Sequence, residues 1–466
     1  MTVRPAIGRR FTSAYLWLLA LTLLAALLLG GGPGWSGERL LVAPALLLAL
    51  VALARTLGDA RREPLRARLL WLLPLLVLGV PTLQLVPLPW SLWAALPGRA
   101  ALAADLASVL PDPGWMPFSL TPFQTERAIA ALCVPCGIYM AALLCGSEQR
   151  RKLLSLVMVV AAVGVLVGLL QLAQGPDSPL YFHAVTNHDD AVGLFANRNH
   201  QAIFLASLLP VTMGTLMDRL RHAQRPDRDL RVWALTALLL VLAIGATATR
   251  SRIGFALLMF SLLVSLAVAW RSRGATAQSR RARLWLQMGV LLAVVLVLQF
   301  TLLAFLQRLK GDQAEDLRWQ LGREAVALAA PTAGLGYGIG SFPRVHDLLG
   351  DAAATTRAYV NHVHDDYLEL WLEGGVVAVL LAAVAVALLL RRLVQLWRAQ
   401  SPGASSGEAP RDRHRGMKLG AAVALAMLAL HSALDYPLRT LALECYAALL
   451  VAMLVGSVRP GRAVFG

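Results

Sequence analysis

Apolar residues occur along this chain in long continuous runs rather than in the alternating pattern of half-buried strands. Two of these runs are AYLWLLALTLLAALLLG (14–30) and WALTALLLVLAIGATAT (233–249). As helices they are long enough to cross a hydrocarbon core of about 30 Å. Short polar segments separate each run from the next. The pattern therefore predicts an all-α polytopic membrane protein.

Run length and flanking charge predict about twelve transmembrane helices. The predicted spans are 14–30, 40–54, 69–87, 126–146, 153–173, 199–216, 232–249, 253–270, 284–305, 374–390, 417–436 and 440–456. No small-residue cleavage site stands out after the first run, so we interpret it as a retained span rather than a signal peptide. Residues 1–466 are then expected to form a single integral membrane domain.

Composition and charge support this interpretation. Hydrophobic residues make up 58% of the chain and charged residues only 15%, and a soluble domain could not hide so much apolar surface. With the N-terminus inside, the inner segments hold 30 of the 43 lysines and arginines, as the positive-inside rule requires. Both termini are therefore predicted to be cytoplasmic. We attribute the net charge of +16 to the lysines and arginines of the inner segments, and no nucleic-acid partner is expected.

The predicted outer side carries three segments longer than a turn, at 88–125, 175–198 and 306–373. The last is a large loop, where a membrane enzyme would build a site. Its residues 314–330 mix apolar and charged positions as an amphipathic surface helix does, with Trp319 as an interfacial anchor. GLGYGIGSF (334–342) predicts a tight turn rather than a nucleotide loop, because no strand precedes it and no Gly-Lys-Ser/Thr follows.

The end of this loop, YVNHVHDDYLELWLEGG (359–375), is dense in titratable groups. His362, His364 and Asp366 fit the start of an H-x-H-x-D metal motif, but Tyr367 stands where that motif continues with histidine. A histidine on the outer side could instead accept a proton from a sugar hydroxyl. Metal and acid–base interpretations therefore both stay open on these residues.

An ordinary helix N-terminus is a third interpretation of the same stretch. Asp365 or Asp366 would cap the helix, and Glu369 and Glu373 would lie on its solvated face. A capping carboxylate does not occupy a histidine, so this interpretation is compatible with the acid–base one.

Arginines gather at the predicted outer boundary, where an unpaired charge is costly. They are Arg198, Arg250, Arg252, Arg318, Arg323 and Arg344. Each could extend toward lipid phosphates, but several on one face favour a bound diphosphate, which guanidinium groups grip in bidentate fashion. Deeper in the chain, His431 and Asp435 stand at i,i+4 and are expected to pair.

Five of these stretches together resemble the O-antigen ligase and polymerase superfamily of bacterial inner-membrane glycosyltransferases. They lie in the family's order across 193–440. The matching stretches are GLFANRNHQAIFLASLLP (193–210), ATRSRIG (248–254), DLRWQLGREAVALAAPTAGLGYGIGSF (316–342), YVNHVHDDYLELWLEGG (359–375) and LHSALDYPLRT (430–440). The first 190 residues match only in being hydrophobic.

The resemblance implies a GT-C-type helical fold that uses undecaprenyl-diphosphate-linked glycan at the periplasmic face of the inner membrane. His364 matches the family's proposed base, and Arg252 and Arg318 match its phosphate-gripping arginines. Arg198 is added as a third candidate for the diphosphate. Asp365 replaces the family's usual asparagine, and a carboxylate beside His364 would strengthen it as a base.

Arg250, Arg344, His362 and Asp365 are expected to support the site. The implied reaction is an inverting, metal-independent transfer to an acceptor hydroxyl, with no cofactor. Lipid A-core as acceptor makes a ligase, which we favour, and a second lipid-linked repeat makes a polymerase. A protein serine would make an O-oligosaccharyltransferase, a less favoured option because no sizeable C-terminal soluble domain is present. A polysaccharide transporter or flippase would explain twelve spans equally well, but predicts paired charges at mid-membrane.

Overall fold

The computed structural model describes residues 4–32, 35–58, 71–110, 113–223, 225–271, 313–350, 360–399 and 413–455. The predicted ninth span, 284–305, lies outside these residues. Within the described part the protein is mainly helical, as the apolar runs predict.

The described residues form fifteen α-helices and two short strands. The first five helices are α1 Arg4–Leu29, α2 Trp35–Gly58, α3 Leu72–Leu83, α4 Trp90–Ala94 and α5 Ala100–Val109. Then come α6 Pro122–Leu144, α7 Ser147–Gln174, α8 Arg198–His222, α9 Leu230–Ala248 and α10 Arg252–Arg271. The last five are α11 Gln313–Ala329, α12 Phe342–Leu349, α13 Asp366–Ala399, α14 Arg415–His431 and α15 Leu441–Val455. The strands are β1 Pro87–Pro89 and β2 Trp115–Pro117, paired antiparallel.

Six of the described helices are long and apolar enough to cross a membrane: α2, α6, α7, α8, α9 and α13. The chain is therefore a multi-pass membrane protein. Several other predicted spans coincide with shorter apolar helices. In the described part of the run 69–87, for example, the helix is Leu72–Leu83, which is about 18 Å long at 1.5 Å per residue. The total of about twelve spans stays a prediction.

Helix α8 is the centre of the bundle, with 89% of its apolar window buried. It packs against α9, α10 and α14. Its contact with α14 is close because glycines face each other there: a Cβ on Gly214 would lie 2.1 Å from the Gly416 carbonyl oxygen. Small residues let helices approach in this way where lipid provides no hydrophobic driving force. Asp218 fixes the register by accepting the backbone N–H groups of Gly416 and Met417, both at 2.9 Å.

The described part of the large loop builds a small core of its own over the bundle. Helix α11 confirms the predicted amphipathic helix, with Trp319 exposed and Leu328 buried. Together with α12 it encloses a cluster that includes Tyr337 and Phe342. The loop is thus a folded part of the protein, held on top of the membrane helices.

The glycine-rich turn connects this loop to the rest of the molecule, as the sequence predicts. Gly334, Gly336, Gly338 and Gly340 all have positive φ, a region that glycine enters without steric cost. The Tyr337 N–H donates to the Leu372 carbonyl, and the Tyr337 carbonyl accepts from the Leu120 N–H, both at 2.9 Å. The turn therefore lies between the segment before α6 and the first part of α13.

A matched pair of glycine substitutions tests this packing. An alanine Cβ at Gly338 (φ 115°) would lie 2.2 Å from Ser119 Oγ, whereas Gly114 (φ 68°) has no atom within 4 Å of that position. Gly114→Ala should therefore cost only backbone strain, about 1 kcal/mol, and Gly338→Ala about 2–5 kcal/mol once the clash is added. Melting in detergent should show a clearly lower midpoint for Gly338→Ala, and equal midpoints would contradict the packing.

Helix α13 is divided at Gly375, whose φ of 66° and ψ of −166° are not helical. The Val376 N–H donates to the Gly334 carbonyl oxygen at 2.7 Å, so the glycine-rich turn fills the break. Residues 366–374 therefore form a separate short helix before the membrane-spanning part, in agreement with the predicted span at 374–390.

Candidate functional site

Polar side chains of the bundle gather at the predicted outer end. Four elements supply them: the first residues of α8, the turn before α10, the start of α13 and the turn between α14 and α15. These parts of the chain are up to 240 residues apart in sequence, as the hydrogen bond between His200 and Thr440 shows.

His364 contacts a buried carboxylate. Its Nδ1 lies 3.1 Å from Asp435 Oδ1, and its side chain is 25% exposed while Asp435 is fully buried. An ionised carboxylate only accepts hydrogen bonds, so Nδ1 carries the proton and Nε2 is left as the acceptor. His364 also has a φ of 62°, a conformation that costs a non-glycine residue about 1–3 kcal/mol and is concentrated at functional sites.

Asp435 is held in place from several sides. Asn199 Nδ2 donates to its Oδ2 at 2.6 Å, the Tyr436 N–H donates to its Oδ1 at 3.0 Å, and Ser251 Oγ in turn donates to Asn199 Oδ1 at 2.7 Å. Burial alone would raise the pKa of Asp435. The hydrogen bond from His364 and the nearby positive charges, including Arg318, outweigh burial and hold that pKa well below its usual range. Asp435 is therefore ionised.

The predicted pairing of His431 with Asp435 is wrong. Asp435 hydrogen-bonds His364 and Asn199 instead, and His431 Nε2 lies 3.4 Å from the Asn199 backbone oxygen. Helix α14 ends at His431, and although the Asp435 N–H still donates to the His431 carbonyl oxygen at 2.9 Å, the Asp435 carboxylate contacts His364 and Asn199. An i,i+4 spacing therefore does not predict a side-chain pair beyond the end of a helix.

A second histidine–carboxylate pair lies beside the first. His362 Nδ1 is 2.9 Å from Glu369 Oε1, and the Val363 N–H donates to Glu369 Oε2 at 2.9 Å. Arg439 Nη1 approaches the same Glu369 at 3.2 Å and Glu373 at 2.7 Å. Its Nε lies 3.7 Å from Asp366.

The prediction that Glu369 and Glu373 lie on a solvated helix face is therefore wrong, and Asp366 is buried with them. All three carboxylates are buried, with Glu369 1% and Glu373 0% exposed. Arg439, 66 residues beyond Glu373 in the sequence, supplies the positive charge that makes their burial possible. Burial would lower the pKa of Arg439, but the three carboxylates outweigh burial and raise that pKa above its usual range.

Tyr436 lies between the two histidines. Its ring centroid is 4.3 Å from that of His362, 4.8 Å from that of His364 and 4.9 Å from that of His200. Burial, with the Asp435 charge adding to it, raises the pKa of Tyr436 to about 12. The neutral tyrosine ring thus packs between the two imidazole rings and keeps them apart.

Asp365 caps the short helix that follows it. Its Oδ1 accepts the backbone N–H groups of Tyr367 at 2.9 Å and Leu368 at 3.0 Å. Burial raises the pKa of Asp365, and these two N–H groups work against that rise. The carboxylate that contacts His364 is therefore Asp435 rather than its sequence neighbour. Any direct role of Asp365 toward a substrate stays a prediction.

Arg318 lies beside the His364–Asp435 pair, and Arg252 directly follows a residue that supports this pair. Arg318 Nη2 is 3.6 Å from Asp435 Oδ2, which is an ion pair but too long for a hydrogen bond. Its side chain is 30% exposed, and no described residue accepts a hydrogen bond from it. Arg252 begins α10 directly after Ser251, the residue that contacts Asn199.

The other predicted arginines have partners in neighbouring segments. Arg198 forms a 2.7 Å ion pair with Asp190, and Arg250 donates to the Asp189 carbonyl at 3.0 Å. Arg344 is 67% exposed and 3.9 Å from Asp347. With Arg127 it lines a separate cavity of about 220 Å³ where the glycine-rich turn meets α6.

Metal ligands are not grouped in the part of the chain that the structure describes: no set of three or more His, Cys, Asp or Glu is suited to holding an ion. His362 and His364, the start of the H-x-H-x-D pattern, turn their Nδ1 atoms to different carboxylates. Metal independence stays a prediction for experiment.

Several residues of the site were not assigned from the sequence: Asn199, Ser251, Tyr436 and Arg439. Asp435 was considered only as a partner of His431. Their positions in the sequence could have indicated a role for two of them, because polar residues at the ends of apolar runs are candidates for function. Asn199 and Asp435 both stand at such ends, at the boundaries of the predicted spans 199–216 and 417–436.

Residues 237–383 match the family model described as O-Antigen ligase. This region contains Arg252, Arg318 and His364, while Asn199 and Asp435 lie outside it. A search of curated proteins found no match.

Proposed function

Because the chain carries this domain and belongs to the O-antigen ligase and polymerase superfamily, we propose that it transfers a glycan from undecaprenyl diphosphate to an acceptor hydroxyl. The family implies glycosyl transfer from lipid-linked glycans in a membrane. The site would lie at the periplasmic face of the bacterial inner membrane, with both termini cytoplasmic. The acceptor that we favour is lipid A-core.

The contact between His364 and Asp435 is the observation that carries this proposal. A buried, ionised carboxylate fixes the imidazole tautomer and leaves Nε2 as a proton acceptor at a partly open position. Histidine held in this way is suited to removing the proton of a hydroxyl group in a transition state. The strained backbone of His364 is consistent with a position held for chemistry rather than for stability.

In the proposed step, the acceptor oxygen attacks the anomeric carbon while its proton moves to His364 Nε2. The bond between the anomeric carbon and the diphosphate oxygen breaks, and its electron pair stays on the diphosphate, which gains one negative charge. Attack opposite the leaving group inverts the configuration. The leaving diphosphate supplies the driving force, so no nucleotide or other cofactor is required.

Arg252 and Arg318 would stabilise the charge that grows on the diphosphate. Arg318 lies beside Asp435 without hydrogen-bonding it, so its N–H groups are suited to a bidentate contact with phosphate. Arg198 is the third candidate. Its guanidinium would have to bind the diphosphate while it also pairs with Asp190. Arg250, Arg344, His362 and Asp365 keep supporting roles in this proposal.

Arg318→Gln tests the role of this arginine, with Arg323→Gln as a matched control on the exposed part of the same helix. Loss of one charge-assisted contact in the transition state should lower kcat/KM about 100- to 1,000-fold. Arg323→Gln should change kcat/KM less than about threefold, since it removes only a surface charge. Equal losses in both variants would point to a general charge effect and contradict the assignment.

A deletion in the native host distinguishes ligase from polymerase. Lipopolysaccharide gels should show bare core together with accumulated lipid-linked polymer if the protein is the ligase. Core capped by a single repeat would identify a polymerase instead. An unchanged gel pattern with intact transfer would contradict both, and accumulation of donor on the cytoplasmic side would favour a flippase.

A further inference from the structure

A cavity of about 220 Å³ lies between the start of α6 and the start of α12. Its volume is below the roughly 300–1,000 Å³ of a pocket that encloses a drug-sized ligand. It therefore fits one chemical group of a larger molecule rather than the whole molecule. The residues that line it are Gln124, Arg127, Gly340, Pro343, Arg344 and Asp347.

Contacts between the two walls fix the shape of this cavity. Thr125 Oγ1 of α6 donates to the Ile339 carbonyl oxygen of the glycine-rich turn at 2.8 Å. A Cβ on Gly340 would lie 3.1 Å from the Gln124 carbonyl oxygen, so the turn packs directly against the first turn of α6. The cavity is thus part of the folded protein, and a ligand would not have to form it.

The cavity wall is joined to the candidate functional site by the buried carboxylates. The Phe342 N–H, next to the lining residue Pro343, donates to Glu373 Oε1 at 3.1 Å. Glu373 in turn accepts from Arg439 at 2.7 Å, and the same guanidinium also approaches the carboxylate partner of His362. The cavity is therefore a neighbour of the candidate site and is separated from it by this cluster.

Two guanidinium groups line the cavity, against one carboxylate. Arg344 is 67% exposed and lies 3.9 Å from Asp347, which is too far for a hydrogen bond, and an exposed pair of this kind contributes little. Arg127 is half-buried, and its Nη1 lies 3.4 Å from Gln124 Oε1. Positive charge is therefore in excess among the residues that line the cavity, and it favours an anion.

We infer that this cavity binds a phosphate group of the acceptor, so that the protein prefers phosphorylated acceptors. This inference rests on the proposed function. A phosphate monoester has three terminal oxygens, enough for a contact with each of two guanidinium groups, whereas a carboxylate has only two. Its charge of about −1.5 to −2 at neutral pH is also closer to the charge of two arginines.

The acceptor is the substrate that the position of the cavity fits best. In the proposed function the donor diphosphate lies with Arg252 and Arg318 near His364, and none of these residues lines the cavity. The acceptor must bring its hydroxyl to His364, and a second anchor on a neighbouring surface would orient it. Arg127 lies in the first part of α6, a helix long enough to cross a membrane. The cavity is then near the membrane surface, where a lipid-anchored acceptor carries its polar groups.

Transfer of labelled glycan to lipid A-core by the full-length protein in proteoliposomes, at saturating donor, tests the inference. Arg127→Gln and Arg344→Gln should each raise the KM for the acceptor about tenfold, the low end of the range for a charge-assisted hydrogen bond. The effect should be on KM rather than on kcat, because the reacting atoms lie elsewhere. Dephosphorylated lipid A-core should have a raised KM with the wild type, and the two substitutions should then add no further loss.

Arg323→Gln is the matched control, since this arginine is exposed on the same loop but does not line the cavity. It should leave the acceptor KM unchanged with both forms of lipid A-core. Because Arg344 is largely exposed, its substitution should not unfold the protein. Arg344→Lys, which keeps the charge but not the two-point contact, should recover part of the affinity.

The outcomes separate the two proposals. A wild-type protein that transfers glycan to no acceptor would contradict the proposed function itself. Normal transfer with an unchanged acceptor KM in both arginine variants would overturn only the cavity site, which would then hold at most a phospholipid headgroup. Equal losses with phosphorylated and dephosphorylated acceptor, a rise in the donor KM in place of the acceptor KM, or transfer only to a second lipid-linked glycan would also overturn the inference.

Discussion

Replacing His364 with alanine is expected to reduce kcat by about 100- to 10,000-fold, the contribution of a positioned general base. The donor KM should change little, because the arginines and the lipid contacts that bind the donor stay in place. The measurement is transfer of glycan from undecaprenyl diphosphate by purified protein. Alanine keeps the backbone φ of 62° but loses the imidazole contacts with Tyr436 and Asp435, so size-exclusion chromatography must first show that the variant is folded.

His346→Ala is the control for loss of a histidine–carboxylate pair and should keep turnover within about threefold of wild type. Asp435→Asn should reproduce much of the His364→Ala defect, since an amide can hold the ring in the wrong tautomer. Turnover retained in a normally folded His364→Ala protein would remove this residue as the base.

Replacing Arg439 with methionine is expected to cause the largest loss of stability, about 3–5 kcal/mol. The side chain is the shared partner of three buried carboxylates, and removing it leaves them uncompensated. Thermal melting monitored by size-exclusion chromatography in detergent would measure this loss. The defect should shrink at acidic pH, where the stranded carboxylates can take up protons.

Arg151→Met is the matched control, because Arg151 forms an exposed i,i+3 pair with Glu148. Such a surface pair contributes at most about 1 kcal/mol. Adding Glu373→Gln to Arg439→Met should restore part of the stability, since one uncompensated charge is then removed. A melting midpoint of Arg439→Met equal to that of Arg151→Met would mean that the cluster is not held by this arginine.

The fold could be predicted where the signal is local. Apolar runs specify the membrane helices, and the glycines at 334–340 specify a turn because they adopt positive φ. The span predicted at 69–87 extends past the C-terminal end of the helix, which ends at Leu83. Gln84 leaves the helix to donate to the Glu373 carbonyl at 3.0 Å and to accept from the Ile339 N–H at 2.8 Å. Neither partner can be read from the run itself.

The site was less accessible from sequence because its contacts join distant segments. His364 could be singled out from its motif, but its partner Asp435 lies 71 residues away. The sequence places Glu369 and Glu373 on a solvated helix face, because their partner Arg439 lies 66 residues beyond Glu373. Periodicity reports which face of a helix is apolar, but a buried ion pair between segments has no periodic signature.

The most direct test of the central claim is reconstitution of the purified protein in proteoliposomes with labelled undecaprenyl-diphosphate-linked glycan and lipid A-core, in the presence of EDTA. We predict that label appears on the core with release of one undecaprenyl diphosphate per glycan transferred, or on a second lipid-linked glycan if the protein is a polymerase. Donor that crosses the bilayer intact, or that is consumed only when a divalent ion is restored, would contradict the account.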